Sequence, residues 1–170
     1  MGEPYEPKGK GGEGALGPEP VLVSACLLGK PCTYKGSHNG DDVLRVQLEG
    51  DGLVAIPFCP EEHGGLGTPR PAANLTGSAA HVLDGDAKIL TVAGVDVTSE
   101  FHAGAEGALE ECQRHGIRRA FLKERSPSCG CALTHVDGKP VPGPGLTAEV
   151  LTRAGITCTG VEGRRRLESE

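Results

Sequence analysis

The run Val21-Leu-Val-Ser-Ala-Cys26 is the most informative indication of the fold, because its apolar side chains predict a strand that ends in a cysteine. Two later stretches have the same form. Leu53-Val-Ala-Ile-Pro-Phe leads directly to Cys59, and Arg119-Ala-Phe-Leu is followed by a loop that reaches Cys129. In an open α/β sheet the carboxyl ends of parallel strands face a shared crevice. We therefore expect these three cysteines to meet at one edge of a sheet.

Helices are predicted between the strands. Residues 41–50 combine acidic side chains in the first turn with a terminal glycine, as in a short helix. The clearest helix covers Thr98–His115, where apolar residues recur at helical spacing and Gly116 supplies a left-handed stop. The same periodicity places Cys112 in the core. A further helix is expected at 147–154.

The remaining elements are predicted to be strands. An irregular β segment is expected over 81–95, with a tight turn at Asp84-Gly85. A second turn is expected at 136–139 and a last strand at 156–161. Alternation of helices and strands favours an α/β fold, a single layered domain with a mainly parallel, Rossmann-like sheet.

Length and composition limit the domain organisation. The 170 residues suit one folded domain, predicted over 21–161. Residues 1–20 are rich in Gly, Pro and Glu and are predicted to be a flexible leader, and residues 162–170 a solvated tail. The first twenty residues contain no apolar segment that resembles a signal peptide or a membrane span, so we expect a cytoplasmic protein with no membrane partner.

Charge and aromatic content bear on the binding partner. The net charge is -6, aromatic residues make up 3%, and tryptophan is absent, so a nucleic-acid partner is not expected. A small-molecule substrate fits this composition better.

Seven cysteines without regular spacing argue against a disulfide framework and for reduced thiols. Three thiolates converging on one point suggest a metal centre, and three protein ligands leave one coordination position open. The spacing Cys129-Gly-Cys131 leaves a second interpretation, in which Cys131 is a fourth ligand that closes the site. Cys32 and Cys158 have no assigned role.

The segments that contain the three cysteines together resemble the thiouracil desulfidase family. The similarity extends over nearly the whole predicted domain, in the order Val23-Ser-Ala-Cys-Leu-Leu-Gly, Phe58-Cys-Pro-Glu-Glu-His-Gly-Gly-Leu-Gly-Thr-Pro-Arg, Ala93-Gly-Val-Asp-Val-Thr, Leu122-Lys-Glu-Arg-Ser-Pro-Ser-Cys-Gly and Gly145-Leu-Thr-Ala-Glu-Val-Leu. One departure is Asn74, where the family usually has a glutamate. The short, stand-alone form implies a free thiolated base as substrate.

The resemblance implies a 4Fe-4S cluster held by Cys26, Cys59 and Cys129, with no protein ligand on the fourth iron. It further implies an enzyme that cleaves a carbon–sulfur bond without net electron transfer, converting thiouracil to uracil and sulfide. An open iron is a thiophilic Lewis acid that binds the substrate sulfur while water attacks the carbon.

The attacking water needs a general base within hydrogen-bond reach. Glu61, two residues beyond Cys59, is the first candidate, and Glu62 is the reserve. Ser126 and Ser128 lie beside Cys129 and are candidates to orient water or relay a proton.

Substrate contacts are assigned to Ser24, in the first cysteine loop, and to Arg70, which closes the second motif. Lys123 is a further candidate cation. Two other functions stay open from the residues alone. One is a thiol redox or sulfur-carrier protein in which Cys26 pairs with Cys32. The other is a structural metal-binding module in which Cys131 or His63 is the fourth ligand.

Overall fold

The computed structural model describes residues 18–168, and its main sheet contains four parallel strands. The sheet has the order β2-β1-β5-β8, with each neighbouring pair parallel. Its strands are β1 (Glu19–Ser24), β2 (Leu53–Phe58), β5 (Arg119–Lys123) and β8 (Thr157–Val161). The predicted α/β fold with a mainly parallel sheet is confirmed.

A second, smaller sheet has mixed pairing and the order β4-β3-β6-β7. Strand β3 pairs antiparallel with β4 and parallel with β6, which forms a hairpin with β7. The strands are β3 (Ala73–Leu75), β4 (Ile89–Thr91), β6 (Leu133–Val136) and β7 (Lys139–Pro142). Asp137 and Gly138 both have positive φ, as the two-residue turn predicted at 136–139 requires.

Within residues 18–168 there are five α-helices, namely α1 (Asp42–Gly50), α2 (Pro60–His63), α3 (Ala79–Leu83), α4 (Thr98–His115) and α5 (Leu146–Arg153). Helices α1, α4 and α5 pack on the main sheet. Helix α4 ends at Gly116 in the left-handed conformation, as predicted. In the part of the chain that the structure describes, no helix is both long enough and apolar enough to cross a membrane.

The segment 81–95 is only partly a β segment, so this prediction is wrong in its first half. Residues 79–83 form α3, because the Ser78 side chain caps the helix by accepting from the His81 N–H. The predicted turn at Asp84-Gly85 is the end of this helix, with Gly85 at positive φ. Only β4, which pairs with β3, is strand.

The core lies on both faces of the main sheet. One face packs against α4 and α5 and includes Leu22, Leu122 and the predicted core residue Cys112. The other face packs against α1 and includes Val21 and Val23. Strand β1 is therefore covered on both sides, and its carboxyl end emerges from the most buried part of the molecule.

The two ends of the chain differ in what can be described. The predicted leader falls mostly on residues 1–17, which lie outside the described residues, and Glu19 already belongs to β1. Within 162–168 the chain contacts the start of α1. Arg165 Nε lies 2.8 Å from a carboxylate oxygen of the fully buried Asp41, whose other oxygen accepts from the Leu44 N–H.

Candidate metal centre

The three predicted cysteines lie on loops at the carboxyl ends of β1, β2 and β5. Cys26 is in a 3-10 turn formed by Ala25–Leu28, Cys59 caps the start of α2, and Cys129 follows the loop after β5. All three line one cavity of about 430 Å³. The fold thus brings together three loops that are separated by 33 and 70 residues.

Close backbone approaches hold two of these loops. A Cβ added to Gly104 of α4 would collide with the Pro60 carbonyl oxygen, so only glycine lets α2 lie this near to α4. A Cβ added to Gly130 would collide with the Leu133 carbonyl oxygen. These contacts fix the positions of Cys59 and Cys129.

A fourth thiol shares the cavity. Cys32 is 2% exposed and lines the cavity, its sulfur lies within 4.8 Å of the Cys59 sulfur, and its carbonyl oxygen accepts from the Cys59 thiol at 3.8 Å. The neighbouring thiols of Cys26 and Cys59 raise the pKa of Cys32, because they favour its protonated form. The hydrogen bond from Cys32 lowers the pKa of Cys26, and it lowers the pKa of Cys59 to about 7 against the opposing effect of burial. The protein thereby favours thiolates at two of the predicted ligands.

Cys129 has a different environment. Burial raises the pKa of its thiol to about 12, while hydrogen bonds with Ser24 and Ser128 act in the opposite direction. The Ser128 hydroxyl lies 3.6 Å from the Cys129 sulfur. A bound cation would favour the Cys129 thiolate, because coordination deprotonates a thiol.

The candidate catalytic residues form one hydrogen-bond chain. The Ser128 hydroxyl donates to Glu61 Oε2 at 3.0 Å and lies 3.0 Å from the Ser126 hydroxyl. Arg70 Nε contacts Glu61 Oε1 at 3.2 Å. Glu61, Ser126, Ser128 and Arg70 all line the cavity, so the structure places the acid, both serines and the arginine beside the cysteines.

Arg70 connects two cysteine loops. Its Nη2 donates to the Cys32 carbonyl oxygen at 2.8 Å, and its Nη1 donates to the Gly67 carbonyl oxygen and to Thr68 Oγ1. The side chain is 6% exposed. Most of its donors are thus directed to the protein, and it holds Glu61 against the cavity wall.

The other predicted residues are also located. Ser24 is buried, and its hydroxyl accepts from the Lys123 N–H at 3.0 Å. Burial lowers the pKa of Lys123, which lines the cavity together with Asn74. The residue that departs from the family pattern therefore faces the site.

Three cysteines and His63 are not brought to the cavity wall. His63 stacks on Phe58 with ring centroids 4.9 Å apart. Cys131 and Cys158 are in thiol–thiol contact and pack against the same face of the core as Cys112.

Sequence reasoning missed two features of the site. The first is Cys32, for which the sequence indicates only redox pairing with Cys26, although Gly29, with φ +95, reverses the chain and returns Cys32 toward Cys26. The second is Glu124, a buried acid whose Oε1 accepts from the backbone N–H groups of Cys131, Ala132 and Leu133. A buried acid immediately after a strand is the signal that indicates such an anchor.

The donor set fits a soft-metal centre. All seven cysteines are free, and four of them surround one cavity. Thiolates favour zinc, copper(I) and iron–sulfur clusters over hard cations. Cys26, Cys59 and Cys129 reach this cavity of about 430 Å³ from three different loops, and its volume exceeds that of a single ion.

The fold and the cavity therefore define the class: an α/β protein with a cysteine-rich metal centre at the carboxyl edge of a parallel sheet. The model of the 2-thiouracil desulfurase family matches residues 21–162. The chain belongs to this family, and the predicted class of enzyme, one that cleaves a carbon–sulfur bond, is confirmed.

Two relatives extend this finding. A solved structure, the 4Fe-4S-dependent thiouracil desulfidase TudS, is similar with a TM-score of 0.72 and 42% identity, over 84% of this chain and 90% of the other. Its dependence on the cluster agrees with the cofactor expected for this chain. The uncharacterized protein YbbK of Bacillus subtilis (strain 168) is 40% identical over 139 residues, which are 79% of this chain and 91% of YbbK.

Proposed function

We propose that this protein removes sulfur from thiolated pyrimidines without net electron transfer, releasing uracil and sulfide from thiouracil. Cys26, Cys59 and Cys129 would hold a 4Fe-4S cluster, and its fourth iron, without a protein ligand, would supply the Lewis acid for the substrate sulfur. The single observation that carries the proposal is the cavity on which all three thiols and the Glu61 carboxylate open. Membership of the 2-thiouracil desulfurase family supports it.

The cavity suits a free base. Its volume of about 430 Å³ lies within the range of roughly 300–1,000 Å³ that is usual for small-molecule sites. The substrate is accordingly a free thiolated nucleobase. The free state of all seven cysteines supports a reducing compartment, the cytoplasm.

When bound, the cluster supplies a thiophilic Lewis acid that accepts the sulfur. The residues of the chain do the rest. Glu61 accepts a proton from the water that attacks the ring carbon, as a general base must do within hydrogen-bond reach. Ser128, which donates to Glu61, orients that water together with Ser126 and relays the proton.

Arg70 and Ser24 form the substrate-binding part of the wall. The contact between Arg70 Nε and Glu61 Oε1 holds the carboxylate in its position on the cavity wall. Ser24 presents a buried hydroxyl next to Cys129. Asn74, which faces the same cavity, keeps a hydrogen-bond acceptor without the negative charge of a glutamate.

The test is anaerobic reconstitution with iron and sulfide, followed by incubation with 2-thiouracil and with 4-thiouracil. Cluster-loaded protein is expected to release uracil and sulfide in equal amounts, and cluster-free protein is expected to release neither. Loaded protein that releases neither product from either base contradicts the proposal.

One observation favours the thiol redox alternative, namely the contact between the thiols of Cys26 and Cys32. The same experiment separates the two functions. A redox protein would form a Cys26–Cys32 disulfide with a mild disulfide oxidant and would leave thiouracil intact.

A further inference from the structure

A second set of metal-ligating atoms lies at the edge of the cavity. The sulfurs of Cys32 and Cys59 and a carboxylate oxygen of Glu62 are all within 4.8 Å of one another. A tetrahedral zinc ion, with bonds of about 2.3 Å to sulfur and about 2.0–2.2 Å to oxygen, needs ligand atoms in this range of separation. Small side-chain rotations therefore suffice to enclose one ion.

The backbone already holds these donors in place. Cys59 immediately precedes α2, and Glu62 lies within its single turn. The helix therefore fixes the spacing between these two residues. Cys32 is held from outside, because its carbonyl oxygen accepts from Arg70 at 2.8 Å and its N–H donates to the Lys30 carbonyl oxygen at 2.8 Å. An ion would therefore meet a prearranged site.

Neighbouring side chains compensate part of the negative charge of the site. Two thiolates and one carboxylate carry more negative charge than a divalent ion neutralises. Lys30 Nζ lies 3.3 Å from Glu62 Oε1, and Thr68 donates to Glu62 Oε2 at 2.6 Å, so the carboxylate is oriented and its charge is partly compensated. Two sulfur ligands select a zinc-like ion over magnesium or calcium.

We propose that Cys32, Cys59 and Glu62 form a mononuclear site for a zinc-class divalent cation. Three protein ligands leave the fourth position to water. The site differs from the proposed cluster site in Cys32 and Glu62 and shares Cys59 with it, so the ion and the cluster exclude each other. The exclusion rests on the proposed function, whereas the binding of the ion does not.

The binding of the ion is tested with Co²⁺ as a spectroscopic probe, titrated anaerobically into the cluster-free, full-length protein. The wild type is expected to bind one Co²⁺ per chain, with thiolate charge-transfer bands and the intense visible bands of tetrahedral cobalt. Cys32→Ser and Glu62→Gln are each expected to weaken binding by about 10- to 100-fold or more, because loss of even an outer-shell partner costs that much.

Cys129→Ser is the matched control, because it removes a cavity thiol that belongs only to the cluster site. It is expected to bind Co²⁺ as the wild type does. Loss of Co²⁺ in Cys129→Ser contradicts the assignment, as does binding of wild-type strength in Cys32→Ser or in Glu62→Gln. Circular dichroism of each variant before titration identifies a loss that comes from misfolding.

The exclusion is tested by adding one equivalent of Zn²⁺ before reconstitution with iron and sulfide. Zinc is expected to lower the cluster content of the wild type and to have a much smaller effect on Cys32→Ser. Full loading of zinc-bound wild type overturns the exclusion. If the wild type forms no cluster even without zinc, the proposed function fails, and the cobalt result still decides the mononuclear site.

Discussion

The seven cysteines fall into two groups according to whether they line the cavity, although Cys129, which lines it, also packs in the same apolar core as Cys112. One group lines the cavity at the carboxyl edge of the sheet, and it consists of Cys26, Cys32, Cys59 and Cys129. The other packs against the helices on one face of the sheet, and it consists of Cys112, Cys131 and Cys158. Burial raises the pKa of Cys112 to about 12, whereas the hydrogen bond from Cys32 lowers that of Cys59 to about 7. The pKa alone does not separate the groups, because burial also raises that of Cys129 to about 12; the four cysteines of the first group share access to the cavity.

The largest effect is expected from serine substitution of the cysteines that line the cavity. Cys26→Ser, Cys59→Ser and Cys129→Ser are each expected to abolish stable iron binding, because two thiolates from two loops do not retain the cluster. Anaerobic iron and sulfide content, with the visible absorbance of the cluster, measures the effect. Cys112→Ser is the control from the other group and is expected to keep its iron. If Cys112→Ser alone loses iron, the division into two groups is wrong.

The next largest effect is expected at the carboxylate of the cavity group. Glu61→Gln keeps the shape of the side chain but cannot accept a proton, so sulfide release is expected to fall by roughly a hundred- to ten-thousand-fold. Cluster content should be unchanged. Glu62→Gln serves for comparison, and a larger defect there than in Glu61→Gln would move the general base by one residue. A native rate in Glu61→Gln with an intact cluster rules out the role of Glu61.

A smaller loss is expected when the partner of Glu61 is removed. Ser128→Ala deletes the hydroxyl that donates to Glu61 at 3.0 Å and contacts the Cys129 sulfur. Loss of such an outer-shell partner usually costs about 10- to 100-fold in activity or metal affinity. The measurement is sulfide release per bound cluster, with Ser99→Ala, at an exposed position of helix α4, as the control. Equal rates in the two variants contradict the role of Ser128.

Substitution of a cysteine in the core group is expected to lower the free energy of unfolding. Cys112→Ser places a hydroxyl in a site that is 1% exposed, and leaving such a group without a partner costs about 1–3 kcal/mol. The free energy of unfolding, measured in denaturant on cluster-free protein, is expected to fall by this amount. An unchanged value contradicts the assignment of Cys112 to the apolar core.

The smallest effect is expected at Asp41, which does not line the cavity. Burial raises the pKa of this carboxyl, but the hydrogen bond from Arg165 and that from the Leu44 N–H outweigh it, so the pKa is lowered overall. A lowered folded-state pKa means stability that is present above the unfolded pKa of about 3.9 and is lost as the pH falls through the folded value. Asp41→Asn keeps the helix cap and removes the charge.

The expected cost of Asp41→Asn at pH 7 is about 1 kcal/mol, because Arg165 is nearly half exposed and solvent weakens its attraction to the buried carboxylate. This cost should shrink as the pH falls below about 4, because the unfolded wild-type chain binds a proton at this carboxyl before the folded protein does. Urea unfolding at pH 7 and at a pH below about 4 measures this cost. A cost that is independent of pH contradicts the ion pair between Asp41 and Arg165.

Much of this arrangement follows from local sequence. The apolar run before Cys26 and the spacing within α4 predict their elements, because each pattern is set by neighbours along the chain. The second sheet is not predictable in this way. Strands β3 and β4 have three residues each, and α3 depends on one Ser78 cap. Which partner such short elements take is decided by tertiary packing.

The site shows the same division. The three strand-end cysteines are predictable, because the carboxyl edge of a parallel sheet collects them. The bond between Ser128 and Glu61 joins residues 67 positions apart, and the contact of Cys32 with Cys59 depends on a loop reversal at Gly29. Such contacts depend on how loops pack against each other, which no local pattern encodes.

The proposed function requires that three thiols from the cavity group hold a cluster whose fourth iron is free for substrate. Mössbauer spectroscopy of anaerobically loaded, iron-57-labelled protein tests it most directly, before and after addition of thiouracil. We expect one iron in an environment unlike that of the other three, and a change in the spectrum of that iron alone when thiouracil is added. Four equivalent irons that do not respond to thiouracil would show a closed, fully ligated cluster and would contradict the account.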